Sequence, residues 1–170
     1  MNQRNRVRGA ALLCCHCVRN IAYYRAGWVD GHFVSEEDFW RNANSNFLDI
    51  GVLEWCKVFA DSNGKHHWRK VVPAPDRFMS ALFEGIAVTE DAFNTLHEET
   101  RRYRDKFIAH LDDERIMQIP RLAMVIDSAM FLFDRIQNEY EPFLTDAPQN
   151  LRDFYEQRFE HARGMYVNGT

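Results

Sequence analysis

Glycine and proline are scarce in this chain, 8 and 5 among 170 residues. That is too few to punctuate the many short strands of a sandwich or barrel, and it favours long helices with few connections. Also lacking is any run near the ~18 consecutive apolar residues that a membrane-spanning helix needs, so no membrane association is expected. The basic start, Arg4, Arg6 and Arg8 ahead of an apolar stretch, imitates a secretory signal only briefly, because His16 and Arg19 interrupt it. A mature N-terminal helix and a cytoplasmic location are the expectation. There is no Gly-rich phosphate loop followed by Lys-Ser or Lys-Thr, no H-E-x-x-H and no G-x-S-x-G, so the familiar nucleotide, zinc-protease and hydrolase classes lack support. A formal net charge of -4 excludes a polycation that coats nucleic acid through its mean field; any nucleic-acid site has to be local.

Cysteine is sparse too, with three of the four residues clustered as Cys14-Cys15-His16-Cys17 and Cys56 standing alone. This is unlike the spaced framework of a small disulfide-bonded fold, and reduced thiols are expected. Cys14 and Cys17 form a C-x2-C pair that, with Cys56 or the His66-His67 pair, could complete a tetrahedral zinc site. The cluster lies inside an amphipathic helical pattern rather than a turn, however, and cysteine is among the most commonly buried residue types. Core packing is the favoured assignment, and neither a metal nor another cofactor is expected.

What the chain does have is apolar surface: 46% of its residues are hydrophobic and 14% aromatic, enough to bury a core against the entropy of ordering. Length and the absence of any linker or repeat predict one domain over residues 1–170. Helical spacing of Val7, Ala11, Cys14, Val18, Ile21 and Ala22 predicts a first helix from about Arg4 to Ala26, ended by Gly27. Ser35 reads as the N-cap of a second helix to about Ala60, with Phe39, Trp40, Phe47, Ile50, Leu53 and Val58 as its apolar face. Residues 61–68 form a turn-rich connection, and Pro73 and Pro75 delay the next helix to about Asp76. Thr89 caps a long helix to about Leu111. Pro120 suits the first turn of a helix carrying Leu122, Val125, Ile126, Ala129, Met130, Phe133, Ile136 and Tyr140, bounded by Pro142. A last helix runs from about Pro148 to Arg163, and the tail from Tyr166 frays. The expected fold class is all-α, a bundle of five to six helices.

One segment stands out, Arg104-Asp105-Lys106-Phe107-Ile108-Ala109-His110. On its helix Phe93, Leu96, Thr100, Tyr103, Phe107 and Leu111 fall on one narrow stripe, the face that packs. Arg104 borders the stripe on one side and His110 on the other, about 120° apart on an ideal helix. Two arrangements bring them to one phosphate: the helix ends or bends near Ala109, or the stripe packs against a second copy in a symmetric homodimer.

Arg104-Asp105-x4-His110 resembles the R-x4-6-H motif of HEPN domains, which are dimeric helical bundles. The surrounding residues 103–112, with the upstream Leu53-Glu54-Trp55-Cys56-Lys57 and His67-Trp68, are most similar to the AbiU2-like branch linked to phage defence. The resemblance implies a HEPN-like bundle and a metal-independent endoribonuclease whose two motif copies face each other across a dimer cleft. A toxin or phage-defence effector is implied, with RNA as substrate and an antitoxin or nucleotidyltransferase as a partner.

The residue types suit that chemistry. A histidine titrating near neutral pH can take or deliver a proton when the 2′-hydroxyl attacks, which makes His110 the acid/base candidate. The planar fork of Arg104 can hold the charge that builds on phosphorus oxygens. Asp105 is assigned to orient Arg104 or a histidine across the cleft. Arg101, Arg102 and Lys106 supply a local positive field that positions RNA without reading its sequence. Beside this stands a plainer reading, in which Arg101 to Lys106 with Glu98 and Glu99 form a solvated, ion-paired helix face. The domain is then a non-catalytic dimerisation, partner-binding or RNA-sensing module. His66-His67-Trp68, flanked by Lys65, Arg69 and Lys70, combines charge with an aromatic that suits single-stranded RNA, but a surface turn anchored by a core Trp68 is favoured.

Overall fold

The computed structural model describes residues 2–108, 118–140 and 147–168, and these fold as an all-α bundle. In chain order come α1 (Gln3–Ala26), a small hairpin of β1 (Trp28–Val29) and β2 (His32–Phe33), and α2 (Asp38–Phe59). A 3-10 turn at Trp68–Lys70 leads to α3 (Pro75–Gly85), then α4 (Glu90–Tyr103), which runs into a π-helical turn at Arg104–Ile108. α5 (Leu122–Tyr140) and α6 (Leu151–Asn168) complete the bundle. No helix among the described residues is long and apolar enough to cross a membrane.

α1 is the central rod, packed against α2, α5 and α6. A helix with neighbours on several sides needs a wide apolar band, and α1 buries Val7, Ala10, Ala11, Cys14, Cys17, Val18, Ile21 and Ala22. Many of these are small, which lets the backbones approach. The same holds across the contact at Gly51 of α2, where an added Cβ would lie 2.7 Å from Ile21 Cγ1. All four cysteines are buried with free thiols, so the 14–17 cluster is core. Among the described residues no group of three or more His, Cys, Asp or Glu side chains comes together to hold a metal.

α2 departs from the sequence expectation at its start and around its axis. Its N-cap is Glu37, which makes no side-chain capping bond; Ser35 instead accepts from the Glu37 N–H at 3.3 Å, forming a turn before the helix. The buried face is Asn44, Leu48, Gly51, Val52, Trp55, Cys56, Val58 and Phe59, whereas Phe39 is 70% and Ile50 41% exposed. Bulk misled the expectation, because the true stripe passes through a glycine and an asparagine. Asn44 earns its burial by full satisfaction: its amide donates to Tyr24 O at 2.8 Å and to Tyr166 Oη at 2.9 Å, and its oxygen accepts from Trp28 Nε1 at 3.0 Å.

Those bonds explain two further differences. The hairpin turns on Asp30 and Gly31, both at positive φ (48° and 79°), the Asp-Gly pairing that a two-residue loop prefers; Trp28 is held by its bond to Asn44 and by ring contacts with Tyr24 and Phe33. The expected frayed tail is instead helix: α6 starts at Leu151 and continues to Asn168, with Tyr166 only 1% exposed. Tyr166 packs with Ala26 and Ala162 in a second small cluster against Phe33, Val34, Trp40 and Phe159.

α4 keeps its expected cap, Thr89 accepting from Ala92 N at 3.1 Å, and buries Phe93, Leu96, Thr100 and Tyr103. It does not continue as regular α-helix to Leu111, because the π-helical turn begins at Arg104. Residues 109–117, which include His110 and Leu111, and the segment around Pro142 lie outside the described residues. Pro120 precedes α5 by two residues rather than opening it, and the α5 stripe from Leu122 to Ile136 is buried as expected. Trp55 joins three helices: its Nε1 donates to Ser128 Oγ of α5 at 2.9 Å, and its ring meets Phe59 at 5.0 Å and Phe93 of α4 at 6.0 Å.

Candidate functional site

The end of α4 is fastened to α2 at successive points. The Cys56 thiol donates to Thr100 O at 3.8 Å, and Tyr103 Oη donates to Asp49 Oδ1 at 2.7 Å. Burial and the Asp49 carboxylate together push the Tyr103 phenol far above its ordinary pKa, so it remains a neutral donor. Immediately after this anchor the backbone widens into the π-helical turn, a form that occurs mostly as single turns and often at functional sites.

Arg104 is the first residue of that turn. Its Nε donates to Asp105 Oδ1 at 2.8 Å, and its Nη1 donates to Asp61 Oδ1 in the turn after α2. The side chain is 20% exposed. Its hydrogen bond to Asp105 raises the guanidinium pKa further, burial opposes this, and Asp61 adds to the rise; the charge is permanent. A guanidinium has five N–H donors in a rigid fork. Among the described residues the bonds of Arg104 go to Asp105 and Asp61, which engage Nε and Nη1 and fix the plane of that fork.

Among the other sequence candidates, Asp105 lies against Arg104 as described, and Lys106 is half-buried. Arg101 and Arg102 are both exposed but face different ways. Arg101 lines a pocket with Phe59, His67 and His97, whereas Arg102 lines a groove with Glu98, Glu99 and Tyr103. Arg104, Asp105 and Arg101 all lie close enough to the Cys56 thiol to act on it electrostatically. The ion pair of Glu99 is with Arg121, at 3.3 Å.

Two participants escaped sequence reasoning. Asp61 sits in a connection 43 positions from Arg104, where only the fold reveals the pairing. His97 carried a usable signal, since His97, Arg101 and Arg104 are spaced i, i+4, i+7 along one helical face. It lies with its ring 6.2 Å from Trp55. Burial lowers its pKa, the facing Phe59 carbonyl opposes this, and Arg101 lowers it further.

The His66-His67-Trp68 group is an anchored turn. His67 is buried, with Nε2 donating to Phe59 O at 3.1 Å and Nδ1 accepting from Arg69 N at 3.4 Å. These two bonds require the neutral imidazole with its proton on Nε2, and burial lowers its pKa accordingly. Trp68 is buried against Phe78, ring centroids 5.0 Å apart, and the Arg69 guanidinium lies over the Trp68 ring at 5.1 Å. The chain matches no family model, no curated protein and no solved structure, so the arrangement around Arg104 carries the functional reading.

Proposed function

We propose that the chain is a metal-independent endoribonuclease of HEPN type, which cuts RNA at a site built by two copies and acts as a toxin or phage-defence effector. The observation that supports this reading best is the state of Arg104: a guanidinium held in a fixed plane by two carboxylates at a π-helical turn. A surface arginine serving only as a charge has no need of two fixed partners. One serving a transition state does, because pre-positioned donors cost no reorganisation as charge develops.

In the proposed reaction a His110 imidazole takes the proton of the ribose 2′-hydroxyl, and that oxygen attacks the adjacent phosphorus. The bond from phosphorus to the 5′-oxygen breaks, and an imidazolium returns a proton to the departing oxygen. Arg104 meets the negative charge on the non-bridging oxygens. Asp105 and Asp61 orient Arg104 and are positioning residues. The products are a 2′,3′-cyclic phosphate and a 5′-hydroxyl, and no metal takes part. The purified protein is expected to cleave RNA in EDTA and leave these ends, with His110→Ala and Arg104→Ala abolishing cleavage in folded protein. Unchanged activity in both variants overturns the reading.

The same Arg104 contacts favour a second reading, in which the Asp61–Arg104–Asp105 ion pairs are a clasp between the end of α2 and the π-helical turn of a non-catalytic binding module. Arg104→Ala then lowers thermal stability while RNA is left intact by the wild-type protein as well.

A further inference from the structure

Between the end of α2, the connection that follows it, α3 and α4 lies a pocket of about 340 Å3, within the range of small-molecule sites. Its buried floor includes Phe59 and Phe93, and its exposed rim carries Arg69, Asn94 and Arg101. Among the described residues Glu90 is the one carboxylate in the lining, and neither Arg69 nor Arg101 forms a salt bridge. Two guanidiniums therefore share one mouth with a single opposing charge among the described residues.

The pocket is also pre-set. Arg69 is steadied over the Trp68 ring, and the backbone beneath it is fixed by the His67 bonds. His97 in the wall has its pKa held below the ordinary value by burial and turns a ring N–H to the Phe59 carbonyl, so at neutral pH it leaves one acceptor rather than a third cation. An apolar floor for a flat ring, neutral polar groups beside it and paired guanidiniums at the mouth match the three parts of a nucleotide.

We propose that this pocket binds one nucleoside monophosphate unit, its base over Phe59 and Phe93 and its phosphate between Arg69 and Arg101. The unit belongs either to a free nucleotide or to single-stranded RNA, which share this chemistry. Arg101 lies one helical turn before Arg104, and Ser62 of the pocket wall follows the Asp61 that holds Arg104. In the RNA case the pocket seats a nucleotide next to the cut phosphate and so deepens the proposed function, on which that case rests; the pocket itself stands without it.

The test is calorimetric titration with the four nucleoside 5′-monophosphates, adenosine and inorganic phosphate. None of these has an internucleotide bond, so the result is separate from cleavage. At least one nucleotide is expected to bind, with adenosine and inorganic phosphate each weaker by about ten-fold or more. Arg69→Ala and Arg101→Ala should each weaken nucleotide binding about ten-fold, as should Asn94→Asp through repulsion of the phosphate. Lys57→Ala, on exposed α2 surface beside Glu54, should bind as the wild type does. Binding should also shift the His97 ring resonances. A short single-stranded RNA, titrated into His110→Ala protein, assigns the source: binding tighter than the mononucleotide and dependent on Arg101 points to RNA, and no gain points to the free nucleotide. The proposal is overturned if no nucleotide binds at about 5 mM, if inorganic phosphate binds as well as the nucleotides, or if both arginine variants bind undiminished.

Discussion

Asp61→Asn separates positioning from folding more cleanly than any change to Arg104 itself. The Asp61 and Arg104 side chains are 40% and 20% exposed, so solvent screens their attraction and the pair stabilises the fold by about 0.5–1 kcal/mol. In a chain of this length each kcal/mol moves Tm by roughly 2–4 °C, which predicts a fall of about 1–4 °C. The effect on catalysis should be larger. Misplacing a catalytic group by about 1 Å can cost on the order of 100-fold, and Asp105 still grips Nε, so a loss of about ten-fold is expected. It should appear in kcat with KM little changed, because in the proposed reaction Arg104 acts on charge that develops only in the transition state. Asp105→Asn should behave alike, and the double variant should fall towards the Arg104→Ala level, since both carboxylates serve one guanidinium. Tm from circular dichroism and kcat and KM from a fluorogenic RNA give the answer. An unchanged kcat in Asp61→Asn, or an activity loss that only follows the folded fraction, refutes the positioning argument.

Other consequences follow from the fold. Asn44→Ala removes the shared partner of Trp28 Nε1, Tyr24 O and Tyr166 Oη; Tyr24 O keeps the Gly27 N–H and Trp28 is 40% exposed, so at about 1–3 kcal/mol for a buried unpaired polar group chemical denaturation should show a loss of about 1–3 kcal/mol with native secondary structure retained before unfolding. His67 has a folded pKa below its ordinary value, so its contribution is complete above the unfolded pKa of about 6.5 and is lost as pH falls below it; Tm should drop between about pH 7 and pH 5, with a shallower slope in His67→Gln. Burial raises the thiols of Cys14 and Cys17 and pushes Cys15 to about 11 and Cys56 to about 12. A thiol reagent at about pH 8 should therefore react only as the protein unfolds; fast labelling of all four in native protein contradicts their core placement.

How much of this was legible in the sequence depended on whether the cause was local. The Thr89 cap and the α5 stripe are written in neighbouring residues, and reading them needed only helical periodicity. The Asp30-Gly31 hairpin is equally local, but no alternating strand pattern flanks it to mark the pair as a turn. The buried face of α2 was misjudged because Gly51 and Asn44 look unlike core residues: one is buried for close approach to Ile21, the other because it meets three partners from distant segments. Tyr166 looked like tail for the same reason, its anchor lying 122 positions away. At the candidate site Arg104 and Asp105 were found as sequence neighbours, whereas Asp61 comes to them only through the turn after α2. The break in α4 at the π-helical turn likewise follows from tertiary fastening at Tyr103 and Arg104 rather than from any proline or glycine.

The central claim is that Arg104 and His110 cut RNA without a metal, and end-group analysis of RNA treated in EDTA tests it most directly. Wild-type protein should yield 2′,3′-cyclic phosphate and 5′-hydroxyl ends, while folded His110→Ala protein leaves the RNA whole. Intact RNA with the wild type, or the same ends from His110→Ala, contradicts it.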